Sequence, residues 1–345
     1  MLDVIDDAVV LDETESGTLY IKGERDHVRG EVSPYYKVGI VRGKREVTAR
    51  DKALKTGNPR TITNLFEIES PFVQKLETRL HNEYAFARVS SGEWFDTGRF
   101  SVDAMTAAAR ALGDELAAAA PSLVRSAHIA GPGAGPVGAP TPRILELHAD
   151  FTRASLEKSA LAKHRSALNA ELGRRAEADR DLYGLYFKET RTEDKPSFST
   201  VEFKKKHPDL HREFSRKGEG KYSSKIALGE GTDNVGDILS GVIPVDELGD
   251  VSVAPQLLHR QSLELWGLIA KRDWVLAVLE AHILCEAQDL EGIQDVLTWS
   301  YLERNSFDRE AFAVKYPELV TEFTSVTRGK TSYSVAEWAA YGASV

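Results

Sequence analysis

Gly17-Thr18-Leu19-Tyr20-Ile21, followed by Tyr35-Tyr36-Lys37-Val38-Gly39-Ile40-Val41, decides how the first third of the chain is read. Both runs are rich in β-branched and aromatic residues and carry the short alternation of strands. The polar segment between them, Lys22–Pro34, is long for a hairpin loop. A short helical run then passes Arg50 and ends at Thr56-Gly57-Asn58-Pro59, and a third strand fits Thr61–Glu69. Ser70-Pro71 opens a helix, because serine accepts from free amides and proline is tolerated at the first helical position. Val73, Leu76, Leu80 and Tyr84 recur at helical spacing and are expected to face the sheet. The expectation is an α+β N-terminal domain: a small three-stranded sheet with flanking helices.

Glu77 and His81 are four residues apart, so they stack on one helical face beside that apolar stripe. A carboxylate at the edge of a buried stripe is poorly solvated and needs a cation. Mg²⁺ or Mn²⁺ would serve, since such hard cations take oxygen ligands and keep several waters, so one protein carboxylate suffices. The surrounding sequence is basic: Lys37, Arg42, Lys44, Arg45, Arg50, Lys52, Lys55 and Arg60 stand against Glu46 and Asp51. Arg42, Lys44, Arg45 and Arg60 are read as nucleic-acid contacts; a solvated surface is the plain alternative.

The order of these pieces resembles the GIY-YIG nuclease superfamily. The resemblance is to the branch, frequent in phages, whose second motif is Lys-hydrophobic-Gly, here Lys37-Val38-Gly39. The helix reads Leu76-Glu77 and Leu80-His81, and the module closes on Glu93-Trp94-Phe95. The match covers roughly residues 15–98. It implies a metal-dependent endonuclease that cleaves DNA phosphodiester bonds. By resemblance Tyr20 stands near the attacking water as base or orienter, unless it is only a half-buried strand aromatic. Lys37 takes the place of the more usual second tyrosine and either lowers the Tyr20 pKa or contacts phosphate. Arg50 matches the family arginine that grips phosphate bidentately, Glu77 the metal ligand, and His81 a residue that assists the leaving group or anchors phosphate. The asparagine that many relatives carry after this helix has no match. Glu93-Trp94-Phe95 is read as structural packing.

The 345 residues suggest two or three domains. A net charge of −9 argues against a protein that coats nucleic acid indiscriminately, while local patches still decide the matter. The single Cys285 leaves no intrachain disulfide and no cysteine zinc site, which fits a cytoplasmic setting. The most apolar run, Trp274–Cys285, is too short to span a bilayer, so no membrane partner is expected.

Residues 1–14 read as an acidic leader, 15–126 as the nuclease-like domain with a trailing helix over Ser101–Ala120, and 127–143 as a flexible Gly/Pro linker. From 144 to 345 a mainly α-helical region is expected. It contains a gapless internal repeat, 198–216 and 307–325. In it Phe198, Phe203, Pro208, Leu210 and Phe214 recur as Phe307, Phe312, Pro317, Leu319 and Phe323. Phe203 with Leu210 and Phe214, and Phe312 with Leu319 and Phe323, are read as core, with Pro-Leu-Phe docking elements for nucleic acid or a partner as the alternative; Arg216, Lys217 and Lys221, and Arg328 and Lys330, follow as basic tails. The helical region would select the target, bind a protein partner or form a homo-oligomer. Two rival expectations are a non-cleaving DNA-binding module and an interaction component of a phage or defence assembly.

Overall fold

The computed structural model describes residues 16–43, 46–48, 60–89, 92–230 and 236–339. The acidic leader, the short helix after β2, and the expected contacts Lys44, Arg45 and Arg50 lie outside the described residues. The first sheet has five described strands rather than three. β1 (Gly17–Asp26) lies between β2 (Val32–Arg42) and β3 (Arg60–Ser70), antiparallel to both. β4 (Arg88–Val89) and β5 (Trp94–Asp96) extend the sheet on the β2 side, in the order β3-β1-β2-β5-β4.

Strand alternation sets the two faces. Leu19, Ile21, Val38 and Phe66 point to the core, where α1 (Val73–Glu83) and α2 (Val102–Ala127) cover them. Val73, Leu76, Leu80 and Tyr84 are all buried there, as their spacing predicts. The helix start differs from expectation. α1 begins at Val73, and the Ser70 hydroxyl accepts from the Phe72 amide in the preceding turn. The expected loop 22–34 is also corrected. Both strands run on through its polar residues, and the turn is closed by the Asp26 carboxylate accepting from the Val28 and Arg29 amides. Polar strand residues such as Lys22 and Glu24 had concealed this extension.

Beyond the sheet, α3 (Pro142–Ala178) and α7 (Pro255–Glu286) form a long antiparallel pair. Ile144 and Leu147 at the start of α3 meet Ile283 and Leu284 at the end of α7, and Leu161, Leu168 and Leu172 meet Leu258 and Leu265. α7 also packs on α1 and α2. Trp274 enters the core of the first sheet, the Arg79 guanidinium lies 5.1 Å from its ring, and Gly267 lets the helix approach Asn82.

The expected flexible linker is a correction as well. Gly133, Gly135 and Gly138 donate to the carbonyls of Leu290, Asp289 and Gly292. A Cβ on Gly133 would stand 2.3 Å from the Asp289 carbonyl carbon, so these glycines serve close backbone approach.

The region from 144 onward is less helical than expected. α4 (Asp181–Tyr186) leads into β6 (Phe187–Arg191) and β7 (Lys195–Phe198), then into α5 (Thr200–Lys206), α6 (Pro208–Glu213) and β8 (Ser215–Ile226). After α7, β9 (Leu297–Phe307) leads into α8 (Arg309–Lys315), α9 (Pro317–Glu322), β10 (Thr324–Thr327) and β11 (Thr331–Val335). The strands form two-stranded ribbons, β8 with β9, β7 with β10 and β6 with β11. Most of their residues are exposed, so they lack the apolar alternation by which a strand is read. Among the described residues no helix is long and apolar enough to cross a membrane.

Candidate active site

Tyr20, Lys22 and Glu24 share the face of β1 opposite the helices, and register sets Gly39 across from Tyr20 and Lys37 across from Lys22. Tyr20 is 2% exposed and packs with Val41 and Val47. Its hydroxyl lies over Gly39, where a Cβ would stand 2.5 Å away; this accounts for the glycine of Lys37-Val38-Gly39. Lys22 is 1% exposed, lies 4.8 Å from the Tyr20 ring centroid and donates to the Val47 carbonyl at 3.2 Å. A buried lysine beside the tyrosine is a site feature that the sequence reading missed; its period-2 placement with Tyr20 was the available signal.

The second cluster gathers at β2, α1 and β5. Lys37 pairs with Glu93 at 2.7 Å, and the Val38 amide donates to the Glu93 carbonyl. Glu93, expected to be structural, therefore belongs to this cluster. Glu77 is buried on α1 and accepts from the Gln74 amide at 2.8 Å, and Arg42 donates to Gln74 in turn. Burial, and next the nearby Glu93 carboxylate, push the Glu77 carboxyl above its ordinary range; the bond from Gln74 and the charges of Arg42 and Lys37 pull the other way. Arg60 pairs with Glu24 at 3.3 Å and also donates to the Ser33 hydroxyl at 3.4 Å.

His81 sits among these groups, buried against Phe95 with ring centroids 5.2 Å apart. Burial, and then the charge of Arg88, hold its pKa down to about 4, against an opposing bond to the Val38 backbone. The ring is thus neutral at neutral pH. Its Nε2 is buried and, among the described residues, without a hydrogen-bond partner. Arg88, whose Nε donates to the Gly92 carbonyl at 2.7 Å, stands close enough to feel both Glu77 and Glu93.

Lys37, Glu77 and His81 are therefore brought together, with Arg42 linked through Gln74. By register Lys37 shares the face of Tyr20 and Lys22, opposite α1, while its charge is felt by Glu77 and His81 of α1. Among the described residues no group of three or more His, Cys, Asp or Glu side chains could cage a metal. A cation held by Glu77, waters and a phosphate asks for less, and a desolvated Glu77 repelled by Glu93 is a donor set that fits it. A separate cleft of about 710 Å³, lined among others by Thr18, Glu46, Glu67 and Glu69, contains none of the expected site residues.

No protein-family model, curated protein or solved structure matches this chain.

Proposed function

We propose that the N-terminal unit is a divalent-cation-dependent endonuclease acting on DNA. The observation that carries this reading is Glu77, a desolvated carboxylate set beside Glu93, Lys37 and Arg42 on one side and a partnerless His81 Nε2 on the other. Glu77 would hold Mg²⁺ or Mn²⁺, which when bound stabilises charge developing on the scissile phosphate. Lys37 supplies a positive charge to a phosphate oxygen once the phosphate competes with Glu93. His81 is neutral, so its Nε2 orients water or a leaving oxygen by hydrogen bonding and does not deliver a proton from an imidazolium. Tyr20, by resemblance, orients the attacking water, and Lys22 lies 4.8 Å from its ring centroid. Arg50, by resemblance, grips the phosphate. The region beyond residue 144 would choose the target.

The ion pair between Lys37 and Glu93 also favours a second reading, in which the unit binds DNA and does not cleave it, because the cation is already engaged. Incubation with DNA in Mg²⁺ or Mn²⁺ against chelator separates the two. Metal-dependent nicking that disappears in Glu77→Ala supports the first. Tight binding without turnover in either metal supports the second.

A further inference from the structure

The repeat at 198–216 and 307–325 folds into one head with an internal two-fold. Phe198 to Phe307 is an offset of 109 residues. Under that offset the pairing Phe198 with Thr324 becomes the pairing of Phe307 with Ser215, and both occur. The Ser199 amide donates to the Phe323 carbonyl at 2.9 Å and Asp308 to Phe214 at 2.8 Å. Lys206 pairs with Glu322, and its equivalent Lys315 with Glu213. Each strand pairs with a strand of the other half, so neither half closes alone. Phe203 and Phe312 meet at the centre, both wholly buried.

Outside those ion pairs the surface charge does not follow the symmetry. Where the first half has Lys204, Lys205, Arg212, Arg216 and Lys217, the second has Ala313, Val314, Thr321, Ser325 and Val326. Lys204, Lys205, Lys217 and Lys221 are exposed and make no ion pair among the described residues. The arm as a whole, 187–226 and 297–335, carries 16 Lys and Arg against 12 Asp and Glu; the rest of the chain has 28 against 41. The arm is therefore net positive in an acidic chain, as is the stretch 37–60, and within the arm the excess lies in the first half.

The foot of the arm also returns to the candidate active site. After β11, Ala339 bridges to Val89, and its amide donates to the Arg88 carbonyl. β8 has 12 residues, so at about 3.3 Å each it carries the head roughly 40 Å outward. That is about the axial length of one turn of duplex, taking ~34 Å per turn.

We propose that the first half of this head, through Lys204, Lys205, Lys217 and Lys221, is a docking surface for the phosphate backbone of duplex DNA. The second half completes the core and makes no phosphate contact. The partner rests on the DNA reading above; cleavage is not needed. Lysines on phosphates read no bases, so the surface adds affinity without sequence preference.

The test is fluorescence anisotropy of full-length protein on a 30-base-pair duplex, in chelator, across a salt series. Replacing the four lysines together by alanine should lower the slope of log affinity against log salt by about 3 to 4, at ~0.9 per contact. The thermal transition should stay in place, because the four side chains are exposed and unpaired. Arg328→Ala with Lys330→Ala is the comparison: their turn faces Asp194, whose carboxylate accepts from the Gly329 amide, and the slope should not move. An unchanged slope in the quadruple variant overturns the proposal even if the wild type cleaves DNA. Equal loss in the Arg328/Lys330 variant overturns the assignment to one half. Equal binding to anionic lipid vesicles overturns duplex DNA as the partner. Lysine-dependent binding without metal-dependent cleavage supports the head and sinks only the nuclease reading.

Discussion

Tyr20 and Gly39 face each other across the β1–β2 ladder so closely that a Cβ on Gly39 would lie 2.5 Å from the tyrosine hydroxyl oxygen. The ring has no room to retreat, since it is buried against Val41 and Val47. Gly39→Ala should therefore destabilise the protein by about 1–3 kcal/mol, the usual cost of overpacking. Adding Tyr20→Leu to it should restore part of the melting temperature, because the ring atoms that clash are then gone. Two losses that simply add would show that this contact is not what Gly39 serves.

Glu77 presents a trade between stability and activity. Its pKa is raised in the folded state, mainly by burial, so the ionised carboxylate is disfavoured on folding. For such a group, stability is greatest where the native state can keep the proton and is lost as pH rises through the folded pKa. If Glu77 holds the cation as proposed, Glu77→Gln should abolish metal-dependent cleavage yet raise the melting temperature at pH 7, the sign set by burial of the carboxylate. Below the ordinary carboxyl range the two proteins should converge. A variant less stable than wild type at pH 7 would show that the Gln74 bond outweighs desolvation.

His81 runs in the opposite sense. Its pKa falls from 6.5 to about 4 on folding, so the unfolded chain takes up a proton that the native ring refuses. Stability contributed by the neutral ring is full above pH 6.5 and declines as pH falls toward 4, by about 3 kcal/mol at ~1.36 kcal/mol per unit. His259, also depressed mainly by burial, adds to the same acid sensitivity. Denaturant titrations of wild type and His81→Phe should diverge across this window, with the variant flatter. Parallel pH profiles would place the acid sensitivity elsewhere.

The first sheet was legible because its strands bury one face. Leu19, Ile21 and Val38 mark the core face, and the helical stripe of Val73, Leu76 and Leu80 packs on it. Within the site, Lys37, Glu77 and His81 were named from the chain, and the structure gathers them. Lys22 and Glu93 were missed because a charged residue inside or beside a strand reads as solvated until its neighbours bury or pair it. The ribbons were missed for a related reason: Arg216–Lys225 and Leu302–Ser306 bury no continuous face, so no alternation betrays them. The glycines of 131–138 misled in the other direction. Composition there suggests freedom, whereas Gly133 and Gly135 are small so that their backbone can reach Asp289 and Leu290.

Trp274 settles how separable the N-terminal unit is. The sequence alone suggests that a fragment ending near Ser126 folds by itself, since a Gly/Pro stretch follows. Trp274 of α7 is 9% exposed, packs in the core of the first sheet and carries Arg79 on its ring. Truncation would expose α1 and α2 where α7 covers them. The fragment 15–126 should therefore be poorly soluble or molten by near-ultraviolet dichroism. Trp274→Ala in the full chain should cost about 3–5 kcal/mol. A cooperative, monomeric melt of the fragment would mean that α7 adds little to that core.

The head provides the sharpest test of an internal two-fold. Phe203 and Phe312 are equivalent under the offset of 109 residues, both wholly buried, with ring centroids 4.7 Å apart. Their neighbours are equivalent too: Phe203 lies near Phe198, Phe307 and Phe323, and Phe312 near Phe307, Phe198 and Phe214. Equal surroundings predict equal costs. Phe203→Leu and Phe312→Leu should each destabilise the head by a similar amount, about 1–2 kcal/mol, since part of the ring volume is kept. Because the rings touch, the double variant should deviate from additivity by 0.5 kcal/mol or more, as contacting residues generally do. The readout is hydrogen exchange at the Ser199 and Asp308 amides, which close the two equivalent inter-half bonds. Both amides should lose protection together in either single variant, since each half completes the strand pairs of the other. If Phe203→Leu released Ser199 and left Asp308 protected, the halves would be independent units, and the two-fold would be a resemblance of sequence without a shared core.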